Sequence, residues 1–165
     1  MAETKFKGTP VHTSGSLPQL QTKAPDFTLL DQNLKERHLA EFQGKKKIIA
    51  TVPSLDTGVC NIMTKHFNDL AKKHPDLIII TVSADLPFAQ KRFCETENVH
   101  NLLTLSTMRN KDFGKAYGLL LIDGPLAGLL ARSVLVLDGK DHVLYAELVP
   151  EITHEPNYTA TSKYL

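Results

Sequence analysis

Cys60 stands at the end of Thr51-Val52-Pro53-Ser54-Leu55-Asp56-Thr57-Gly58-Val59-Cys60, where an apolar run gives way to a helical pattern. A cysteine at such a junction is placed for nucleophilic or redox chemistry, because the thiolate is the reactive species. Thr57, three positions earlier, is a natural helix N-cap, so Cys60 falls in the first helical turn. Unpaired backbone N–H groups and the positive end of the helix dipole gather there and favour a thiolate over a thiol. The competing use of a free cysteine is as a small apolar core residue. Cys94 is the other cysteine of the chain.

The elements that must position Cys60 follow from periodicity. Lys47-Ile48-Ile49-Ala50-Thr51-Val52 is short, apolar and partly β-branched, which predicts a buried strand ended by Pro53. Val59, Ile62, Met63, His66, Phe67 and Leu70 recur at three- and four-residue steps and predict a helix from about Gly58. On that stripe Cys60 lies on the flank, sheltered but reachable. His74-Pro75-Asp76 stops the helix, and Leu77–Val82 is a second buried strand, giving a right-handed βαβ unit. Asp85 is expected to cap a further helix, with Pro87 in its first turn and Cys94 near its end.

Leu102–Leu105 predicts a third strand, and residues 111–117 a short helix stopping at Gly118. Leu119–Leu130 is apolar but cut by Asp123, Gly124, Pro125 and Gly128, so it is a loop that covers a pocket or subunit contact, or packs into the core. Ser133–Leu137 and His142–Leu148 flank Asp138-Gly139-Lys140-Asp141, a hairpin signal. A last helix is expected from about Asn157 to the end. Residues 1–24 carry Gly8, Pro10, Gly15 and Pro18 and suggest an arm with short edge strands. The plan is α/β and thioredoxin-like: a central mixed sheet flanked by helices, with an N-terminal strand or hairpin extension, in a single domain over residues 1–165.

At 42% hydrophobic and 22% charged residues, the composition is that of an ordinary globular protein able to bury a core without disulfides. A formal net charge of +1 with scattered basic residues provides no field for nucleic acid. Lys45-Lys46-Lys47 is the one tight basic cluster and is expected to be a solvated loop. No stretch has signal-peptide or membrane-span character, so a cytoplasmic protein is expected, in which two cysteines are inert thiols or a transient redox pair.

Pro53-x-x-x-Thr57-x-x-Cys60 resembles the active-site pattern of peroxiredoxins, and Ser54-Leu55-Asp56-Thr57-Gly58-Val59-Cys60 is similar to the thiol peroxidase subfamily. Three further stretches match that subfamily in order: Ser83-Ala84-Asp85-Leu86-Pro87-Phe88-Ala89-Gln90 leading to Arg92-Phe93-Cys94, then Ala131-Arg132-Ser133, then Glu151-Ile152-Thr153-His154-Glu155-Pro156. The resemblance runs from about Gly8 to Tyr158. It implies an atypical two-cysteine peroxiredoxin, usually a homodimer, that reduces hydrogen peroxide and alkyl hydroperoxides and is recycled by thioredoxin. No cofactor and no metal are implied.

In that reading Cys60 is the peroxidatic nucleophile, and Cys94 resolves its sulfenic acid as an intramolecular Cys60–Cys94 disulfide. The chemistry gives the other residues their tasks. Splitting an O–O bond with a thiolate needs donors along the bond as charge grows on the leaving oxygen. The Thr57 hydroxyl can donate to thiolate or peroxide, and Arg132 brings a permanent guanidinium charge. Pro53 supplies no donor and would exclude water. Each cysteine belongs to its own helix, so local unwinding is expected before a bridge forms.

Two other readings stay open on the residues alone. A Cys–His acyl-transfer enzyme would need one of seven histidines as a base, and none of His66, His74, His100 or His142 stands in a recognisable base motif. A thioredoxin-like binding module would leave both cysteines incidental.

Overall fold

The computed structural model describes residues 1–165. In chain order the elements are β1 (Glu3–Phe6), β2 (Thr9–His12), β3 (Thr28–Leu30), β4 (Glu36–His38), a 3-10 turn (Leu39–Phe42), β5 (Lys47–Thr51), α1 (Gly58–Lys73), β6 (Ile78–Ser83), α2 (Pro87–Thr96), β7 (Leu103–Ser106), α3 (Asp112–Ala116), β8 (Ser133–Leu137), β9 (Val143–Leu148) and α4 (Tyr158–Ser162). A seven-stranded sheet runs in the order β4-β3-β7-β6-β5-β8-β9. β5, β6 and β7 are parallel neighbours, while β8 and β9 on one side and β3 and β4 on the other are antiparallel. β1 and β2 form a separate hairpin.

Strand side chains alternate between two cores, as the two-residue period of a strand requires. Ile48, Ala50, Ile79, Val134 and Val136 face the layer of α1 and α2, with Phe67 and Phe93. Ile49, Ile80, Val82, Leu135 and Leu137 face the other way, onto Phe113 and Tyr117 around α3 and onto Val11 of β2. Each fully buried aliphatic side chain contributes about 1.5–3 kcal/mol relative to exposure, so the central strands anchor both layers. The loop after α3 takes the core-packing option: Leu119, Leu121 and Leu130 are buried in the second cluster. Glu151 fastens the N-terminal hairpin by accepting from the Lys7 and Gly8 amides at 3.1 and 3.0 Å. The Gly8 amide first, then the Thr153 amide and hydroxyl and the Lys7 amide, hold the Glu151 carboxyl down at about 2.

Several expectations are corrected. The buried face of α1 is Cys60, Met63, Thr64, Phe67, Asn68 and Ala71. The face is rotated from the hydrophobic stripe, so that Ile62 is 53% exposed and Cys60 lies on the inward side. Asp85 does not cap α2: Leu86 is the N-cap residue, Pro87 opens the helix, and the Asp85 side chain turns toward the segment before α1. Lys47 is no part of a solvated loop; its ammonium is fully buried 2.5 Å from Asp141 Oδ1. The last helix closes at Ser162 instead of running to the end. β4 and the 3-10 turn lead the chain from β3 into the central strand β5.

Candidate active site

β5 delivers the chain to the carboxyl end of the central parallel strands, the usual location of sites in open α/β sheets. The Val52 amide still donates to Val82 O at 3.1 Å, and Pro53, buried, ends the pairing. A turn of four residues then enters α1. Inside it, Ser54 O accepts from the Thr57 amide at 3.3 Å and from the Thr57 hydroxyl at 3.1 Å. Thr57 has the extended backbone of an N-cap, but its hydroxyl points back along the turn and caps nothing. The α1 ladder begins with Asn61 N–H to Thr57 O at 3.1 Å, leaving the amides of Gly58, Val59 and Cys60 ahead of it.

Cys60 has no exposed surface and belongs to the same apolar cluster as Val52, Leu55 and Met63. It is sheltered more completely than its flank position on the sequence stripe suggested. The reason is the rotated face of α1, which turns this first-turn residue toward the sheet.

Arg132 enters from β8's leading edge. Thr51 Oγ1 donates to Ala131 O at 2.6 Å and lies 2.6 Å from Ser133 Oγ, so both neighbours of Arg132 are tied to the end of β5. The Arg132 side chain is 2% exposed; its Nε donates to Ile152 O at 2.8 Å and its Nη1 lies 3.5 Å from Met63 Sδ. None of the ion pairs of the fold includes it. Met63 is one turn after Cys60 on the same buried face, about 5 Å along the helix axis. A buried guanidinium without a carboxylate is therefore held against Met63, one turn into α1 from Cys60, near the helix end where the dipole also favours negative charge.

Cys94 is buried on α2, and both cysteines are free thiols. It borders a cleft of about 440 Å³ with Gln32, Val99 and Thr104 among its walls. Burial pushes the Cys94 thiol up, and the Thr104 and Gln32 side chains oppose that shift. Gln32 Nε2 in turn donates to Thr104 Oγ1 at 2.8 Å. Cys60 and Cys94 share one apolar cluster but sit on separate helices; Cys60 is sealed while α1 is intact, and Cys94 is buried at the wall of the cleft. His66, the histidine nearest to Cys60 in sequence, is exposed and stacks on the Tyr158 ring at a centroid distance of 3.7 Å. It is not placed as a base for an acyl-transfer reaction.

The structure thus brings Pro53, Thr57 and Cys60 together on one turn, adds Arg132 through Met63, and keeps Cys94 on its own helix. The Redoxin family model matches residues 19–161. The chain belongs to this family.

Within it, the thiol peroxidase of Leptospira interrogans is 50% identical over 162 residues, which cover 97% of this chain and 95% of that protein. A peroxiredoxin-like protein from Aquifex aeolicus superposes with a TM-score of 0.92 at 40% identity, covering 99% of this chain and 95% of that one. The thiol peroxidase from Chromobacterium violaceum has the same fold, with a TM-score of 0.92 at 24% identity, covering 99% of this chain and 95% of that one. The peroxiredoxin chain described here is a thiol peroxidase on an α/β thioredoxin-like fold. None of its helices is long and apolar enough to cross a membrane.

Sequence reasoning missed part of the site's support. Ile152 acts through its carbonyl, which no residue type announces. Ser54 and Asp85 stood within the quoted motifs without a role of their own beyond the cap expected of Asp85, although a serine and an aspartate at the ends of adjacent parallel strands are a signal for hydrogen bonds across the sheet's edge.

Proposed function

We propose that the chain is a thioredoxin-dependent peroxidase in which Cys60 reduces hydrogen peroxide and alkyl hydroperoxides. The Cys60 thiolate attacks the hydroxyl oxygen of ROOH; the S–O bond forms as the O–O bond breaks, leaving Cys60–SOH and an alkoxide that takes up a proton. Cys94 then attacks that sulfur, forming the Cys60–Cys94 disulfide and releasing water. Two electrons from the thioredoxin dithiol restore both thiols.

The observation that carries the reading is the buried Arg132 guanidinium, without a counter-ion, against Met63, the residue one helical turn after Cys60. Such a charge is costly to bury unless an anion forms beside it, and the anions of this reaction are the thiolate and the departing alkoxide. The unpaired amides at the start of α1 supply further donors. Thr57 supplies a hydroxyl at the mouth of the turn, and Pro53 closes its floor without adding a donor. The reading includes one functional domain over residues 1–165, working in the cytoplasm as a homodimer.

The test is a thiol titration with intact mass before and after one equivalent of cumene hydroperoxide, on wild type and on Cys94→Ser. The wild type is expected to lose both thiols and roughly two mass units, and the mutant to gain one oxygen at Cys60 without turning over with thioredoxin. Retention of thiols for minutes in both proteins would favour the binding-module reading instead. Sustained thioredoxin-linked turnover by Cys94→Ser would remove Cys94 from the resolving role.

A further inference from the structure

The Asp85 carboxylate ties the turn before Cys60 to the end of β6. Oδ1 accepts from Ser54 Oγ at 2.7 Å, while Oδ2 accepts from the Leu55 amide at 2.8 Å and from Ser83 Oγ at 2.7 Å. Its backbone is fixed as well: Ser106 Oγ on β7 donates to Asp85 O, and the Asp85 amide donates to Ser83 Oγ at 3.4 Å. Asp85 is thus held to the ends of β6 and β7 and reaches from there into the turn before Cys60.

Ser54 passes that constraint on. Its hydroxyl accepts from the Asp56 amide at 3.2 Å, and its carbonyl accepts both the Thr57 amide and the Thr57 hydroxyl. Leu55, the second residue gripped, is 3% exposed and packs in the cluster that contains Cys60. One carboxylate therefore sets both the orientation of the Thr57 hydroxyl and the apolar wall beside the sulfur. Asp85 also lies two residues before Pro87, the first residue of the helix that carries Cys94.

We propose that Asp85 is a positioning residue that holds the Pro53–Thr57 turn in its peroxide-reactive form and must release it when Cys60 moves to meet Cys94. This inference rests on Cys60 and Cys94 having the roles proposed above. Its consequence is a split between two steps. Peroxide attack depends on the turn being held, because a displacement of about 1 Å in a reacting group can cost 10²-fold in rate. Disulfide formation depends on the turn letting go, so losing Asp85 leaves it unchanged or faster.

The experiment is single-turnover reaction of the reduced full-length protein with hydrogen peroxide, following Cys60 thiol loss and disulfide formation separately by rapid quench and mass. Asp85→Ala is expected to slow Cys60 oxidation roughly tenfold or more, with the sulfenate-to-disulfide step no slower than in wild type. Asp85→Asn is expected to recover most of the oxidation rate. Its amide oxygen can accept from Leu55 N–H, and its NH₂ can donate to Ser54 Oγ. Ser54→Ala removes the Oδ1 arm alone, so it remains informative if Asp85→Ala does not fold; a several-fold slower oxidation is expected. The inference is overturned if both steps slow in parallel with the fall in thermal stability, or if neither Asp85→Ala nor Ser54→Ala slows oxidation while wild type reacts. If wild-type Cys60 itself fails to react, the peroxidase roles fall and this inference falls with them.

Discussion

The Arg132 guanidinium lies 3.5 Å from the thioether sulfur of Met63, one turn along α1 from Cys60. Its Nε is spent on the Ile152 carbonyl, so the side chain is aimed by the backbone of the 151–156 segment and not by an acidic partner. That arrangement leaves positive charge uncompensated until an anion forms beside it. Arg132→Lys keeps a charge but loses the planar fork that can bond Ile152 and reach toward the helix at once. We expect kcat/KM for peroxide to fall by about 10²-fold, the scale for removing one preorganised donor to a developing anion. Thermal stability should also fall, by about 1–3 kcal/mol, because lysine leaves a buried polar group unpaired, and the rate loss per folded molecule comes in addition to it. Peroxide kinetics alongside a melting curve check both; a rate loss that merely tracks unfolding would place Arg132 among structural residues.

Cys94 makes a prediction about alkaline pH. Its pKa is raised above the ordinary 9.0, chiefly by burial, so the folded protein retains a thiol proton that the unfolded chain gives up. The stabilising contribution is complete below about pH 9 and is lost as pH rises through the folded value. In a Cys60→Ser background, denaturation midpoints should therefore decline more steeply above pH 9 than in Cys60→Ser/Cys94→Ser. The same proton slows alkylation: iodoacetamide should modify Cys94 in the folded protein at least tenfold more slowly than in urea at pH 8. Equal rates in the two conditions would mean that α2 opens too readily to protect the thiol.

At the far end of β5, Lys47 and Asp141 form an ion pair whose side chains are 0% and 2% exposed, with Gln43 Nε2 also donating to Asp141. Removing one partner of such a pair costs about 3–5 kcal/mol, because the other charge stays buried alone. Asp141 has φ +67°, a conformation that asparagine tolerates. Asp141→Asn therefore removes the charge without adding backbone strain. Urea unfolding should report a loss of that size, and Lys47→Met added to Asp141→Asn should recover most of it. Peroxidase activity per folded molecule should be unchanged, because Lys47 begins the strand whose opposite end, Thr51, leads to the site.

What the sequence made legible was set by chemistry that is local. The strand, turn and helix around Cys60 follow from β-branched residues, Pro53 and a helical period, and the observed boundaries of β5 and α1 agree with them to within a residue. The hairpin of β8 and β9 follows from Asp138-Gly139 in the same way. Two things were hidden. The facing of α1 was misread because its inward side contains Thr64 and Asn68, while Ile62 and His66, which complete the apparent stripe, are exposed. The burial of Lys47 was hidden because its partner, Asp141, is distant in sequence. Arg132 had the opposite difficulty: its type and place were plain, but its buried course to Ile152 and Met63 depends on backbone that only tertiary structure brings near.

The misread face of α1 carries a prediction of its own. Thr64 is 1% exposed, and its hydroxyl is buried without a hydrogen-bond partner. It lies one turn after Cys60 on the buried face of α1 that also holds Met63 and Phe67. An unpaired buried hydroxyl costs about 1–3 kcal/mol, whereas valine has nearly the same shape and a similar helix propensity. Thr64→Val should therefore stabilise the protein by about 1 kcal/mol, raising the melting temperature by roughly 2–4 °C for a chain of this size. Stabilising α1 near Cys60 should also slow the unwinding that brings Cys60 to Cys94, so disulfide formation after one equivalent of peroxide should be slower than in wild type while Cys60 oxidation keeps its rate. Calorimetry and rapid-quench mass measurements separate the two effects. A destabilised variant would mean that the hydroxyl is satisfied in solution, and an unchanged resolution rate would mean that α2 alone unwinds.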